Sequence, residues 1–310
     1  MPGGSKKAYS IVSPIFEKIS AKYKNIPCVN YIGENGSGHY VKMIHNGIEY
    51  SDMQLISEIY FLFKKLTHLS NLDISSIFSN WNKTELNSYL IEITSYILKK
   101  KDDLGNFILD NILDVANQKG TGKWTSKNSM DLSVPLSLIT EAVYFRFLSS
   151  FKSQRVLASS LLFGPARRFL NSSKLSIFIE DARKALFFSK IIAYSQGFFQ
   201  LKVASDKYNW NLKFYNIASI FRSGCIIRAK FLNDIVKAYE KNNNLVNLLI
   251  VPFFQNILNN YQSSLRNVLK IGIENGIALP GLSSALSYYD AYRSDELPTN
   301  LIQAQRDYFG

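Results

Sequence analysis

One stripe of polar side chains in the first sixth of the chain combines residue types that serve proton transfer and hydrogen bonding. Lys42, His45, Asn46, Glu49 and Tyr50 are spaced at i, i+3, i+4, i+7 and i+8, so a helix would place all five on one side. A solvated helix face carries mainly Lys, Glu, Gln and Ser, whereas His, Asn and Tyr are costly in a helix. The stripe is either such a face or, as its residue types favour, a site with an acid and a base.

The remaining residues of this segment indicate how the helix is held. Gly47 costs about 1 kcal/mol relative to Ala inside a helix, which indicates that something packs close to its backbone. A separate stripe is apolar and suits the core, and it contains Val41, Ile44, Ile48, Leu55 and Ile59.

Two glycine-rich segments resemble phosphate loops without matching one. Residues 33–38 have their glycines in the order GxxGxG, whereas a dinucleotide fingerprint requires GxGxxG, so we interpret them as a domain-boundary loop. Residues 118–125 resemble a Walker A loop, but Asn117 stands where the first glycine is needed. Lys119 and Thr121 could still bind a phosphate through an ammonium and a hydroxyl group, although an ordinary polar turn explains the same residues.

The elements that must position these residues are helical. A short helix is expected from Ser13-Pro14 to about Tyr23, and a strand-like run follows at 27–32. Beyond His39 the periodicity predicts an all-α domain with long helices near 40–66, 84–100, 134–151, 177–208 and 245–275. Ile48 to Ser51 and Ile192 to Ser195 have similar sequences, and similar apolar spacing follows each, which predicts a duplicated helical unit.

Composition narrows the class of protein. The 310 residues are 46% hydrophobic, enough for a sizeable core, and no run approaches the ~18 apolar residues that span a bilayer. The first residues have no apolar core typical of a signal peptide, so we expect a cytoplasmic protein without a membrane partner. Cys28 and Cys225 have no disulfide, redox or metal spacing, and no metal site is expected.

The charge of +12 makes an anionic partner plausible. The basic residues are scattered and form no block with interleaved aromatic residues, so we expect no nucleic-acid partner. A small phosphorylated or carboxylated substrate fits this charge better.

Several long segments together resemble the decarboxylating 6-phosphogluconate dehydrogenase family, in that family's order. They are SGHYVKMIHNGIEYSDMQ (37–54), WNKTELNSYLIEIT (81–94), NQKGTGKWT (117–125), SGCIIRAKFL (223–232) and LPTNLIQAQRDYFG (297–310). The resemblance covers essentially the whole chain. It implies oxidative decarboxylation of 6-phosphogluconate to ribulose 5-phosphate and CO₂ with reduction of NADP, a step of the pentose phosphate pathway and of gluconate utilization.

The resemblance also implies roles for single residues. Lys42 matches the family's general base, which takes the proton of the C3 hydroxyl, and Glu49 matches the acid that protonates C1 of the enediol. These roles require Lys42 to become neutral and Glu49 to become protonated near neutral pH. Residues that match substrate-binding positions are His45 and Asn46 for the sugar acid, Tyr50, Lys119, Thr121 and Arg146 for the phosphate, and Arg306 from the tail of the partner subunit.

The departures from the family define an expected domain division. Residues 1–36 match the end of the NADP-binding domain, 37–293 the helical substrate and dimerisation domain, and 294–310 a shortened C-terminal tail. The dinucleotide loop, a Ser-Gly-Gly substrate segment and a tail histidine have no match here. We therefore expect a homodimer with tail exchange that lacks most of the NADP site and is inactive alone. Alternatives are a non-catalytic dimerisation protein and a module that binds sugar phosphates without turnover.

Overall fold

Thirteen α-helices and one small hairpin form the regular structure of the chain, and the computed structural model describes all 310 residues. This confirms the predicted all-α fold. The elements are α1 (Lys6–Ile19), β1 (Lys22–Tyr23), β2 (Ile26–Pro27), α2 (Ser37–Leu66), α3 (Asn71–Trp81), α4 (Tyr89–Lys99), α5 (Thr121–Asp131), α6 (Ser137–Ser150), α7 (Lys152–Leu161), α8 (Ser172–Lys207), α9 (Phe214–Ile220), α10 (Leu232–Lys241), α11 (Pro252–Glu274), α12 (Pro280–Tyr292) and α13 (Thr299–Phe309).

The two long helices α2 and α8 pack against each other and form the centre of the fold. Gly197 of α8 allows their close approach, because a Cβ there would lie 2.6 Å from the side chain of Ile48. All five residues of the predicted apolar stripe are fully buried, and Ile44 and Ile48 lie at this contact. Helices α5, α6, α11 and α12 pack around this central pair.

The order of elements repeats, as the sequence predicts. Helices α2, α3 and α4 are followed later by α8, α9 and α10 in the same sequence of long and short helices. The starts of α3 and α9, at positions 71 and 214, are 143 residues apart, and so are the starts of α4 and α10, at 89 and 232. An antiparallel bridge between Ser88 and Ala229 joins the two units just before α4 and α10.

The N-terminal segment differs from the prediction. Helix α1 begins at Lys6, where the Ser5 hydroxyl accepts the amide of Ala8 at 3.3 Å, and it ends at Ile19. Pro14 therefore lies inside the helix instead of at its start. Pro14 has no N–H for the Ser10 carbonyl, which instead accepts the Ser13 hydroxyl at 3.4 Å.

The strand-like run at 27–32 is a strand only at its first residue. The two-residue strands β1 and β2 form an antiparallel hairpin, and the residues after Pro27 have no ladder partner. The amide of Ile32 instead donates to the carbonyl of Pro2 at 2.9 Å. The first residues of the chain thus lie beside the loop that leads into α2.

Three helices have no buried residue of their own, namely α1, α7 and α13. None of the helices combines the length and apolar character needed to cross a membrane.

Candidate functional site

The polar stripe lies in the first half of α2, as its spacing predicts, and it is not a simple solvated face. His45 is fully buried and Tyr50 is 7% exposed, whereas Asn46 and Glu49 are half-buried. Only Lys42 is exposed. A helix face that buries an imidazole and a phenol in this way is packed against other elements over part of its surface.

A chain of polar contacts runs from Lys42 to the neighbouring helix α5. Lys42 Nζ lies 3.1 Å from His45 Nδ1, which lies 3.0 Å from Asn46 Oδ1. The Asn46 amide nitrogen donates to the hydroxyl of Thr121 at 3.2 Å. Because Nδ1 cannot accept from the ammonium and donate to the amide oxygen at once, the tautomer of His45 selects one of the two contacts.

Burial sets the charge states of two members of the stripe. It lowers the pKa of His45 to about 4, and the nearby Lys42 ammonium acts in the same direction. His45 is therefore neutral at physiological pH. Burial also raises the pKa of Glu49, although Lys42 and Arg146 oppose this shift. A carboxyl group with a raised pKa is the type that can donate a proton near neutral pH.

Helix α5 docks on α2 through two glycines. A Cβ on Gly47 would lie 2.7 Å from the methyl group of Thr125, and one on Gly122 would lie 2.4 Å from the ring of Tyr50. The Thr125 hydroxyl also donates to the carbonyl of Met43 at 2.9 Å. The close packing that Gly47 predicts is therefore present, and α5 is its source.

The segment 117–121 lies beside Tyr50 because Arg146 of α6 holds it there. The Arg146 guanidinium lies 4.0 Å from the centroid of the Tyr50 ring and donates to the carbonyl of Asn117 at 2.8 Å. Gly120 takes a left-handed conformation with φ of 103°, after which Thr121 begins α5. Lys119, in the turn before that helix, is exposed.

Arg306 is not brought to this group within one chain. It lies on the fully exposed helix α13 and makes no side-chain hydrogen bond or ion pair. Its predicted role depends on a second subunit.

Two cavities of about 580 Å³ each meet at Lys42. One extends past Thr121 to an aromatic wall formed by Tyr40, Trp124, Tyr208 and Trp210. The other is lined by both cysteines, Cys28 and Cys225, although they are distant in sequence. Both are free thiols. Lys42 can therefore be approached from two sides.

Sequence reasoning missed several residues that support the stripe from behind. The ring of Phe221 packs edge-on against His45, with centroids 5.2 Å apart. Lys190 of α8 pairs with Asp52, one turn beyond Glu49, and both are buried. Asp52 continues the stripe at i+3 from Glu49 and could have been found by that spacing, whereas Phe221 and Lys190 carry no local signal.

Comparison with known proteins identifies relatives along the whole chain. Residues 38–310 match the family model described as 6-phosphogluconate dehydrogenase, C-terminal domain. A decarboxylating 6-phosphogluconate dehydrogenase of Buchnera aphidicola subsp. Acyrthosiphon pisum (strain APS) is 61% identical over 310 residues, which are 100% of this chain and 66% of the relative. An NADP(+)-dependent, decarboxylating 6-phosphogluconate dehydrogenase of Bacillus subtilis (strain 168) is 56% identical over 311 residues, with the same shares covered.

A solved structure shows the same fold. The 6-phosphogluconate dehydrogenase of Plasmodium falciparum, described in its apo form and in complex with its cofactor NADP+ and its substrate 6-phosphogluconate, aligns with a TM-score of 0.96 and 46% identity. The alignment covers 100% of this chain and 67% of that one. The chain thus spans about two thirds of the length of the relatives it matches.

Proposed function

We propose that this chain, which belongs to the 6-phosphogluconate dehydrogenase family, forms the helical substrate domain of an enzyme that oxidatively decarboxylates 6-phosphogluconate to ribulose 5-phosphate. The observation that carries the proposal is the arrangement of Lys42 and Glu49 on one face of α2, with His45 and Asn46 between them linked to Thr121 of α5. A base, an acid and hydrogen-bonding groups for a sugar acid are held on one rigid element.

Lys42 would act first, as the general base. Its Nζ would take the proton of the C3 hydroxyl while the C3 hydride leaves for NADP, the cofactor named for the Bacillus subtilis relative, so that C3 becomes a ketone. The resulting ammonium would polarise that ketone while substrate C1 leaves as CO₂. Lys42 is exposed in this chain, so the desolvation that favours a neutral amine would come from bound substrate and from whatever covers the cleft. The neutral His45 beside it adds no second positive charge.

Glu49 would act last, as the general acid. Decarboxylation leaves an enediol, and a proton from the Glu49 carboxyl group to its terminal carbon, which was C2 of the substrate and becomes C1 of the product, gives ribulose 5-phosphate. The raised pKa of Glu49 supports this role because it keeps a larger fraction of the carboxyl protonated than an exposed glutamate would have.

The opposite end of the substrate would be held by the group around Arg146. Tyr50, Lys119, Thr121 and Arg146 supply a phenol, an ammonium, a hydroxyl and a guanidinium near the start of α5, and the positive end of a helix dipole favours a phosphate there. Arg306 of a second copy would complete this end.

We further propose that the residues of this chain do not by themselves form a dinucleotide site. A Cβ on Gly38 would lie 2.3 Å from the Met1 carbonyl oxygen, so the backbone of the first residues occupies the space beside the last glycine of the 33–38 segment. NADP, which is named for the Bacillus subtilis relative, would be held largely by other residues. We therefore propose residues 1–36 as the end of a cofactor domain, 37–293 as the substrate domain and 294–310 as the tail, and we expect no turnover by these 310 residues alone.

Substitutions at the two proton-transfer groups test the proposal in a protein in which a relative's cofactor domain precedes this chain. Lys42→Met should lower hydride transfer by at least about 100-fold, the lower range for general-base catalysis. Glu49→Gln should slow proton exchange at C1 of ribulose 5-phosphate more than hydride transfer, because an amide cannot donate the proton. The control Lys65→Met removes an ammonium near the end of the same helix. Turnover of Lys42→Met within about tenfold of the parent would contradict the role of Lys42.

We also propose a homodimer. Helix α7 buries no residue within the chain, and Leu157 and Leu161 on it are each 63% exposed. Apolar surface of this kind is typical of an interface between copies. Light scattering at micromolar concentration should find a dimer, and Leu157→Asp combined with Leu161→Asp should give a folded monomer; a monomeric parent would contradict the proposal.

A further inference from the structure

A second cluster of cations lies outside the proposed substrate group. Arg222, Arg228 and Lys230 line a pocket of about 300 Å³, together with Tyr23, Asn87 and Asn233. We call it the basic pocket. No acidic residue lines it, and it shares only Ser223 with the cavities that meet at Lys42.

The walls of the basic pocket come from three parts of the chain that are held together by backbone and side-chain bonds. The amide of Lys230 donates to the carbonyl of Asn87 at 2.9 Å, and the amide of Tyr89 donates to the carbonyl of Arg228 at 3.0 Å. The side-chain amide of Asn233 donates to the hydroxyl of Tyr23 at 3.0 Å, which ties the hairpin to α10. The pocket is thus formed before any ligand arrives.

Two of the three cations have no carboxylate partner. Arg228 pairs with Glu92, but no ion pair involves Arg222 or Lys230. The Arg222 guanidinium is held 4.6 Å from the centroid of the Tyr23 ring and donates through Nε to the carbonyl of Ser219 at 3.3 Å. Its position is fixed while its charge remains uncompensated.

The remaining polar groups at the pocket are also suited to an anion. The Tyr23 hydroxyl accepts a bond from Asn233, so its own hydrogen is available to an acceptor. The Ser223 hydroxyl forms no bond within the protein and is a further donor. Guanidinium, ammonium and hydroxyl donors around one concave site are the groups that bind phosphate oxygens in proteins.

We propose that the basic pocket binds a phosphate-type dianion, such as the phosphomonoester group of a small metabolite. Two uncompensated positive charges favour a dianion over a monocarboxylate, since each charge contributes a charge-assisted hydrogen bond. A volume of about 300 Å³ suits one small ligand and not an extended polyanion. This proposal is independent of the proposed function, because none of its cations belongs to the substrate group.

Calorimetry with inorganic phosphate at low ionic strength tests the proposal. Arg146→Gln is used as the background, because it weakens the proposed substrate phosphate group. In that background we expect phosphate still to bind, and we expect Arg222→Gln combined with Lys230→Gln to weaken this binding by at least about tenfold, since each lost charge-assisted bond contributes strongly. The control Lys174→Gln combined with Lys270→Gln removes two exposed charges elsewhere and should change the affinity by less than about twofold.

Three results would overturn the proposal. One is the loss of all phosphate binding in Arg146→Gln alone, and another is equal weakening by the control pair. The third concerns the single variant Lys230→Gln. The Lys230 side chain is exposed and makes no bond that the fold needs. This single variant, with an unchanged circular dichroism spectrum, should weaken phosphate binding by about threefold or more, and unchanged affinity would refute the assignment even if the double variant fails to fold.

Discussion

The buried ion pair between Lys190 and Asp52 leads to the sharpest prediction about the stability of the site helix. Their side chains are 0% and 1% exposed. Lys190 bonds Oδ1 of Asp52, and Oδ2 of Asp52 has no hydrogen-bond partner in the protein. Lys190→Met keeps most of the side-chain length, so it opens little cavity, but it leaves the Asp52 charge buried without a cation. Breaking a buried pair in this way costs about 3–5 kcal/mol. We expect the free energy of unfolding to fall by that amount at neutral pH.

The measurement is urea unfolding followed by circular dichroism at one fixed protein concentration, because subunit association would otherwise shift the midpoint. Lys152→Met is the matched control: Lys152 pairs with Asp114 at 2.6 Å, but the two side chains are 40% and 57% exposed. Its loss should cost no more than about 1 kcal/mol. Adding Asp52→Leu to Lys190→Met should recover most of the stability, because no buried charge remains. A loss for Lys190→Met as small as that of the control would refute the reasoning.

Two further predictions concern the stripe itself. The pKa of His45 falls to about 4 in the folded state, below its ordinary value of about 6.5. The unfolded chain therefore binds this proton more tightly, so the folded state loses stability as the pH falls from about 6.5 to about 4. His45→Gln should remove roughly 3 kcal/mol of this loss, as urea unfolding at pH 7 and pH 4 would show, and an unchanged pH dependence would contradict the burial argument. Gly122→Ala would put a Cβ 2.4 Å from the Tyr50 ring, so the ring must shift from its present position beside Arg146. We therefore expect 6-phosphogluconate to bind at least about tenfold more weakly in calorimetry. Gly164→Ala, where a Cβ meets nothing within 4 Å, is the control, and equal affinities of the two variants would contradict the role of the Tyr50 position.

The sequence predicts the long helices well because each carries its own apolar periodicity. The helix predicted at 40–66 is found at Ser37–Leu66, and the one predicted at 177–208 is found at Ser172–Lys207. The start of α1 is predicted too late, at Ser13-Pro14, because a Ser-Pro pair is typical of a helix N-cap and first turn. The exposed helix tolerates this proline through the Ser13 side chain, which no local rule predicts.

The site is predictable in part for the same reason. The five residues of the stripe lie on one helix and their relative positions follow from helix geometry alone. The approach of α5 and α6 is a tertiary event: the contacts of Asn46 with Thr121 and of Tyr50 with Arg146 join residues 75 and 96 positions apart. Only Gly47 signalled that some element lies close, and nothing in the local pattern identified it as Thr125.

The duplication shows why only one of the two central helices has the proposed proton-transfer groups. When the segment at Ile48 is aligned with the segment at Ile192, the positions of Lys42, Asn46, Glu49 and Tyr50 correspond in α8 to Leu186, Lys190, Ala193 and Tyr194. All four of these α8 residues are buried. Leu and Ala there serve the core, Lys190 pairs with Asp52, and the Tyr194 hydroxyl donates to the carbonyl of Ile227 at 2.7 Å. Because α8 lies inside the fold, its polar side chains need hydrogen-bond partners within the protein. Lys190 therefore pairs with Asp52, which lies one turn beyond Glu49 in α2. One copy of the repeated helix therefore faces the cavities that meet at Lys42, while the other is buried and fixes it in place.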